Sequence, residues 1–217
     1  MLRDPAVAAV LARLRAQADA EDPPAKALVH ERELVLGRNV YGRERVELYG
    51  GAPLAIAADV GELLHVLALA RRARTIVEFG ASVGYSTIHL AAALREVAGG
   101  SLITTELSAD KARDAIANLA EAQLDDLVEM RVGDARETLR DLQDGVDLLF
   151  LDGWNDLYED VLDVVAPRLS VGAFVVADLS KGHAALERYR ERMLDPRSGY
   201  ASVELPLDDG VVLSTRV

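Results

Sequence analysis

Three apolar runs in this 217-residue chain close on a carboxylate: "SLITTE" at Glu106, "VDLLFLD" at Asp152 and "AFVVADL" at Asp178. In an open parallel sheet, ligands bind beyond the carboxyl ends of the strands, so the polar residues there carry the chemistry. An acid at such an end accepts hydrogen bonds from both hydroxyls of a ribose; two acids from neighbouring strands hold a cation or take a proton. A fourth run ends in "EFGASVGYST", where Gly80 and Gly84 let the backbone turn tightly and approach a ligand, and Ser86 and Thr87 open the next helix. Its G-x-x-x-G spacing departs from the G-x-G-x-x-G of dinucleotide folds, so a pyrophosphate is not the best fit. "VGDA" places Asp134 either to cap a helix or to accept from an exocyclic amine such as that of adenine. Glu78 with Gly80 and Gly84, then Glu106, then Asp134 fit ribose and adenine better than three coincidences.

Each position also has a plain structural explanation. Glu106 can favour the helix starting near Ser108 through its dipole, and Asp178 can cap the helix after it. His183 can face solvent, His65 suits a structural role among apolar neighbours, and Trp154 can be ordinary packing at the sheet edge.

The elements that must position these groups are legible in outline. Val7, Val10, Leu11 and Leu14 have helical spacing over residues 5–20, Pro5 suits a first turn, and Pro23 with Pro24 predicts a break before "AKALVHERELVLGRN" resumes as helix up to Gly37 and Asn39. "DVGELLHVLALARRA", from Asp59, predicts a third helix with Val60, Leu63, Leu64 and Leu67 on one face. Beyond it, "TIVEFG", "SLITTE", "LVEMRVGD", "VDLLFLD" and "AFVVADL" alternate with helical segments at 85–98, 108–122, 135–143, 156–168 and 181–194. That alternation predicts an α/β fold, doubly wound, with parallel strands covered by helices on both faces. "YASVELP" and "VVLSTRV" around "LDDG" predict an antiparallel hairpin at the sheet edge.

Lys and Arg number 24 against 36 Asp and Glu, a net charge of −12 that repels phosphate backbones and anionic lipid heads. No nucleic acid and no membrane is expected as partner; a small soluble molecule is. With no cysteine, thiolate catalysis and cysteine-zinc sites are excluded. The first 24 residues are unlike a signal peptide and no run reaches spanning length, so the expected location is cytoplasmic.

With these residues assembled, the chain resembles the class I S-adenosylmethionine-dependent methyltransferases, and among them the small O-methyltransferases related to catechol and caffeoyl-CoA O-methyltransferase. "EFGASVGYST" looks like their glycine-rich motif, "TTELS" their ribose motif and "VGDA" their adenine-side motif; "GYST", "LLFLDGWNDLY" and "VVADL" carry the closer likeness, over roughly residues 50–217. The resemblance implies a Rossmann-like, mostly parallel seven-stranded sheet. The N-terminal helices are similar to the family only in being helices; the expected division is an N-terminal helical extension, 1–58, covering the active site and helping to form a homodimer, and an S-adenosylmethionine-binding methyltransferase domain, 59–217. Gly80, Ser82, Gly84 and Ser86 would surround the methionine part of the cofactor, Glu106 the ribose, and Asp134 and Ala135 the adenine, with Trp154 packed on that ring. Glu78, Leu107 and Asp152 are counted with them.

In the metal-dependent relatives, the aspartate ending strand four and an Asp-Asn pair ending strand five hold magnesium or calcium, and a lysine three residues after the first aspartate is the base. Asp152 and Asp178 match the aspartates, but Leu179 stands in place of the asparagine and Asn155 in place of the lysine. Leucine offers a hard cation no side-chain oxygen, so a metal-independent or weakly metal-dependent site is favoured, with Asp152 and Asp178 as base and orienter and Lys181 or His183 as further candidates. The expected function is methyl transfer to a hydroxyl of a small aromatic, catechol-like or phenolic acceptor. The alternatives are an N- or carboxyl-methyltransferase, an S-adenosylmethionine-binding protein without turnover, and, least favoured, a nicotinamide-dependent dehydrogenase. Tyr41, Tyr49 and Leu54 are candidates for shaping the acceptor pocket.

Overall fold

The computed structural model describes residues 1–179 and 184–217; Lys181 and His183 lie outside the described residues. The strands are β1 (Thr75–Phe79), β2 (Ser101–Glu106), β3 (Val128–Val132), β4 (Val146–Leu151), β5 (Leu169–Asp178), β6 (Tyr200–Leu205) and β7 (Val211–Arg216). They form one sheet in the order β3-β2-β1-β4-β5-β7-β6. The first five run parallel, and β7 pairs antiparallel with both β5 and β6. The strand order reverses between β1 and β4, whose ladder runs from Ile76 opposite Leu148 to Phe79 opposite Leu151. A crevice therefore opens at the carboxyl ends of these two strands.

Ile76–Phe79 and Leu148–Leu151 are buried at every position, because helices cover both faces of the sheet. On one face α1 (Pro5–Leu36), α3 (Ala58–Arg71) and α4 (Tyr85–Glu96) gather Val10, Leu14, Leu64 and Ile88 into one cluster. On the other, α7 (Tyr158–Val165) and α8 (Ala184–Leu194) contribute Val161, Leu162, Tyr189 and Met193. Short α2 (Gly42–Tyr49), α5 (Ala109–Glu121) and α6 (Ala135–Thr138) complete the set.

Three expectations are corrected. The first helix does not break at Pro23 and Pro24 but runs unbroken from Pro5 to Leu36. Val7, Val10, Leu14, Ala18, Asp22 and Val29 make one buried stripe across the prolines, and packing along that stripe outweighs the lost backbone donors. The helix expected over 135–143 stops at Thr138, where the Arg131 guanidinium takes the Thr138 carbonyl at 2.6 Å. Asp156–Arg168, expected as one helix, keeps α only over Tyr158–Val165, with tight 3₁₀ turns at Asn155–Leu157 and Ala166–Arg168.

Candidate active site

The site begins where two backbones touch. The Asp152 amide donates to the Phe79 carbonyl at 2.9 Å, extending the β1–β4 ladder by one rung. The loops that follow then lie so close that a Cβ on Gly80 would meet the backbone of Asp152 and Gly153 at 2.8 Å, and one on Gly153 would meet the Phe79 ring at 2.3 Å. Gly80, at φ +99°, turns back over β2, its amide donating to the Thr105 carbonyl. Glycine is required at both positions by contact.

Glu106, at the end of β2, fixes the next turn. Its Oε2 accepts from the Ser82 amide at 2.9 Å and its Oε1 from the Ser108 amide at 2.8 Å. Ser82 is held with φ of 45°, a costly region for a side chain, and its hydroxyl donates to the Pro53 carbonyl. Each carboxylate oxygen retains a lone pair for an incoming hydroxyl. Asp134 caps α6 by accepting from the Arg136 amide at 2.9 Å and pairs with the Arg136 guanidinium, which lowers its pKa.

These ends line one cavity. Gly80, Ser82, Glu106, Leu107, Asp134, Ala135, Asp152 and Trp154 all reach its wall, together with Leu54, Phe79 and Gly153. Trp154 is stacked on Tyr49, ring centroids 5.8 Å apart at 17°, and the Arg45 guanidinium lies 4.6 Å from its ring centre. Tyr49 and Arg45 are four residues apart on α2, so this helix meets the rim through one side chain of the turn after β4.

Glu78, Gly84 and Ser86 stand behind the cavity wall. Glu78 is fully buried, its carboxylate accepting from the hydroxyls of Ser86 (2.6 Å), Thr87 (2.6 Å) and Thr104 (2.5 Å); burial raises its pKa against these bonds. It ties the start of α4 to β1 and β2. Gly84 caps α4 at φ +89°, where a Cβ would press on Ala115 at 3.3 Å. His65 is buried away from the site, Nδ1 3.0 Å from the His89 carbonyl.

The sequence reading missed Lys111. It is 7 % exposed, reaches the cavity and donates to the Ser82 hydroxyl at 3.2 Å; burial lowers its pKa while Glu106 and Asp22 oppose. Its position one residue before Ala112 on the buried stripe of α5 was the available signal, since a lysine there must find a partner. Asp22 was missed as well: 5 % exposed, it accepts from the Leu54 amide at 2.7 Å and the Ala55 amide at 3.1 Å, pinning α1 to the segment bordering the site.

Asp152 and Asp178 end adjacent strands. Burial raises the Asp152 pKa well above its ordinary value, reinforced by the charges of Asp178 and Glu78. Burial also pushes Asp178 up to about 7, reinforced by Asp208. Its Oδ1 is buried with no hydrogen-bond partner among the described residues. Leu179 turns its side chain into the apolar cluster while its amide donates to the Gly210 carbonyl at 2.9 Å. Asn155 is buried and hydrogen-bonds the Tyr158 hydroxyl, which in turn donates to the Asp178 carbonyl at 2.6 Å. Among the described residues no group of three or more His, Cys, Asp or Glu side chains converges to hold a metal. Two carboxylates beside an inward-facing leucine do not fit a hard cation that asks for six or more oxygens.

Residues 77–178 match the family described as a methyltransferase domain. The chain is 32% identical over 133 residues to a catechol O-methyltransferase of Niastella koreensis and spans 59% of that protein's length, the match covering 59% of this chain. It is 30% identical over 188 residues to a protein of Mycobacterium sp. (strain JLS) named as an O-methyltransferase, covering 80% of this chain and 84% of that one. The crystal structure of TomG, an O-methyltransferase of Streptomyces achromogenes involved in tomaymycin synthesis, in complex with S-adenosylmethionine, matches with a TM-score of 0.67 at 32% identity, over 76% of this chain and 82% of that one. At this identity over most of both chains, the conclusion is that the chain belongs to the S-adenosylmethionine-dependent O-methyltransferases.

Proposed function

We propose that the protein binds S-adenosylmethionine in the cavity at the ends of β1 to β4 and methylates a hydroxyl of a small aromatic acceptor. The observation that carries this is the convergence of Gly80, Glu106, Asp134 and Asp152 on one cavity wall. Glu106 would accept from the ribose hydroxyls, Asp134 and Ala135 border the adenine, and Gly80, Ser82 and Asp152 flank the methionine end. When bound, the cofactor supplies an electrophilic methyl group on a sulfonium.

The chain's own residues then have to position the acceptor and take its proton. Asp178, a carboxyl pushed up to about 7 with a bare Oδ1, is matched to accept a proton at neutral pH. Asp152, lining the cavity one strand away, is the orienting partner. Lys181 and His183 are the further candidates from the sequence. General-base assistance of this kind is worth about 10²–10⁴-fold. The site is proposed to work without a metal, supported by the inward-facing Leu179.

The protein is further proposed to act as a homodimer, for which the exposed Leu28, Leu34 and Val35 on the second half of α1 provide an apolar surface. A second outcome, cofactor binding without transfer, is favoured by Asn155 being committed to Tyr158. Transfer of labelled methyl to catechols and monophenols, in magnesium and in chelator, decides between them. Methylation that persists in chelator is expected; abolition by chelator would overturn the metal-free site, and S-adenosylhomocysteine binding without any transfer would establish the second outcome.

A further inference from the structure

Among the described residues, Lys111 is the one basic side chain that lines the cofactor cavity, whose other charged lining is acidic: Glu106, Asp134 and Asp152. Its placement breaks two local rules. It stands in the first turn of α5, three residues after the Ser108 cap, where the helix dipole disfavours a cation. It is also only 7 % exposed, although a buried ammonium is costly unless it is paired. A placement that local structure does not reward is a mark of function.

Hydrogen bonds fix where the ammonium lies. A helical side chain leans toward the N-terminus of its helix, which for Lys111 is the side of the β2 end. There Nζ donates to the Ser82 hydroxyl at 3.2 Å, while the Ser82 amide donates to Glu106 Oε2 at 2.9 Å. The Ser108 amide, at the start of α5, donates to Glu106 Oε1 at 2.8 Å. Ammonium and carboxylate are therefore both tied to Ser82 and both reach the cavity, yet no direct ion pair closes between them. The Ser82 hydroxyl is the one acceptor of the ammonium among the described residues, which leaves two of its three N–H donors for a ligand. A hydroxyl group satisfies both sides: it donates its proton to the carboxylate and takes an ammonium proton on its oxygen.

We propose that Lys111 binds the cofactor, its ammonium donating to a ribose hydroxyl that itself donates to Glu106. This rests on the S-adenosylmethionine reading above and gives the sugar a second protein partner. Glu106 alone accepts from any donor, whereas the pair selects a group that donates and accepts at once. A deoxy sugar would leave both charges without their shared partner.

The test is calorimetry of the full-length protein, wild type and Lys111→Met, with S-adenosylhomocysteine, its 2′-deoxy and 3′-deoxy analogues, and 5′-methylthioadenosine. In wild type, one deoxy analogue is expected to bind about tenfold or more weakly than S-adenosylhomocysteine, because hydrogen bonds to charged groups are lost. Lys111→Met is expected to bind S-adenosylhomocysteine and 5′-methylthioadenosine about tenfold more weakly and to discriminate less against that deoxy analogue, since both changes remove one shared contact. Lys111→Gln, which keeps a polar group beside Ser82, carries the same expectation if a thermal scan shows the methionine variant unfolded. An equal loss for every ligand, deoxy analogues included, would mean that Lys111 only supports Ser82 and would overturn the proposal. A loss for S-adenosylhomocysteine without one for 5′-methylthioadenosine, which has the ribose but no carboxylate, would move Lys111 to the methionine end and overturn it as well. Tight wild-type binding that neither variant weakens overturns Lys111 alone, whereas no binding of S-adenosylhomocysteine to wild type overturns the cofactor reading on which it rests.

Discussion

At Asp178 the requirements of catalysis and of folding oppose each other. Burial and the charge of Asp208 push its carboxyl from 3.8 up to about 7, so the folded state holds a proton that the unfolded chain releases. The stability that this contributes is present below the unfolded value and is lost as pH rises through about 7. Asp178→Asn should therefore stabilise the ligand-free protein at pH 8 and hardly at all near pH 4, as read from urea midpoints at the two pH values. The gain is about 2 kcal/mol, less than the full shift implies at about 1.4 kcal/mol per unit, because the unpaired carboxyl relaxes and is partly screened when it ionises. The same variant should lose about 10²-fold or more in kcat without weakening S-adenosylhomocysteine binding. A stability gain equal at both pH values would mean that this carboxyl is not the titrating group.

Among the elements, α1 does most to separate this chain from a bare cofactor-binding sheet. Asp22 anchors it through two amides, in an open depression that Arg15 and Asp19 also line. Asp22→Ala leaves the part-buried Leu54 and Ala55 donors without a partner, which costs about 1 kcal/mol. Both acceptor KM and cofactor Kd should rise, because the freed segment carries Leu54 of the cofactor-cavity wall together with Ala55 beside α1. Steady-state kinetics beside calorimetry measures both. The β1 and β4 loops make the opposite case: a methyl on Gly153 has no room beside the Phe79 ring, so Gly153→Ala should abolish cofactor binding, with a folded but destabilised protein by circular dichroism.

Over the whole molecule, a net charge of −12 and central strands buried on both faces describe an acidic α/β protein with an apolar core. Anything that binds only the folded form raises stability by about 2.7 kcal/mol at a hundred times its Kd. For a domain of this size that corresponds to a rise in Tm of about 5–10 °C with S-adenosylhomocysteine. A shift with NAD and none with S-adenosylhomocysteine would contradict the proposed cofactor.

The sequence by itself determined the sheet and the polar residues at its strand ends. Runs such as "VDLLFLD" are apolar at nearly every position because helices cover both faces, and the residue at which each run becomes polar is where the strand leaves the core; Glu106, Asp134, Asp152 and Asp178 were legible for that local reason. Only the tertiary structure decided which of the motif residues touch the cavity. Glu78 and Ser86 share a motif with Gly80 and Ser82, yet they point to Thr104 and to each other, because successive side chains on a strand and around a helix face different directions. The same holds for the unbroken α1. Local propensity placed a stop at Pro23 and Pro24, whereas the buried stripe from Val7 to Val29 carries the helix through and brings Asp22 to the Leu54 and Ala55 amides. Contacts over such sequence separations depend on packing between elements, which no local pattern of residues encodes.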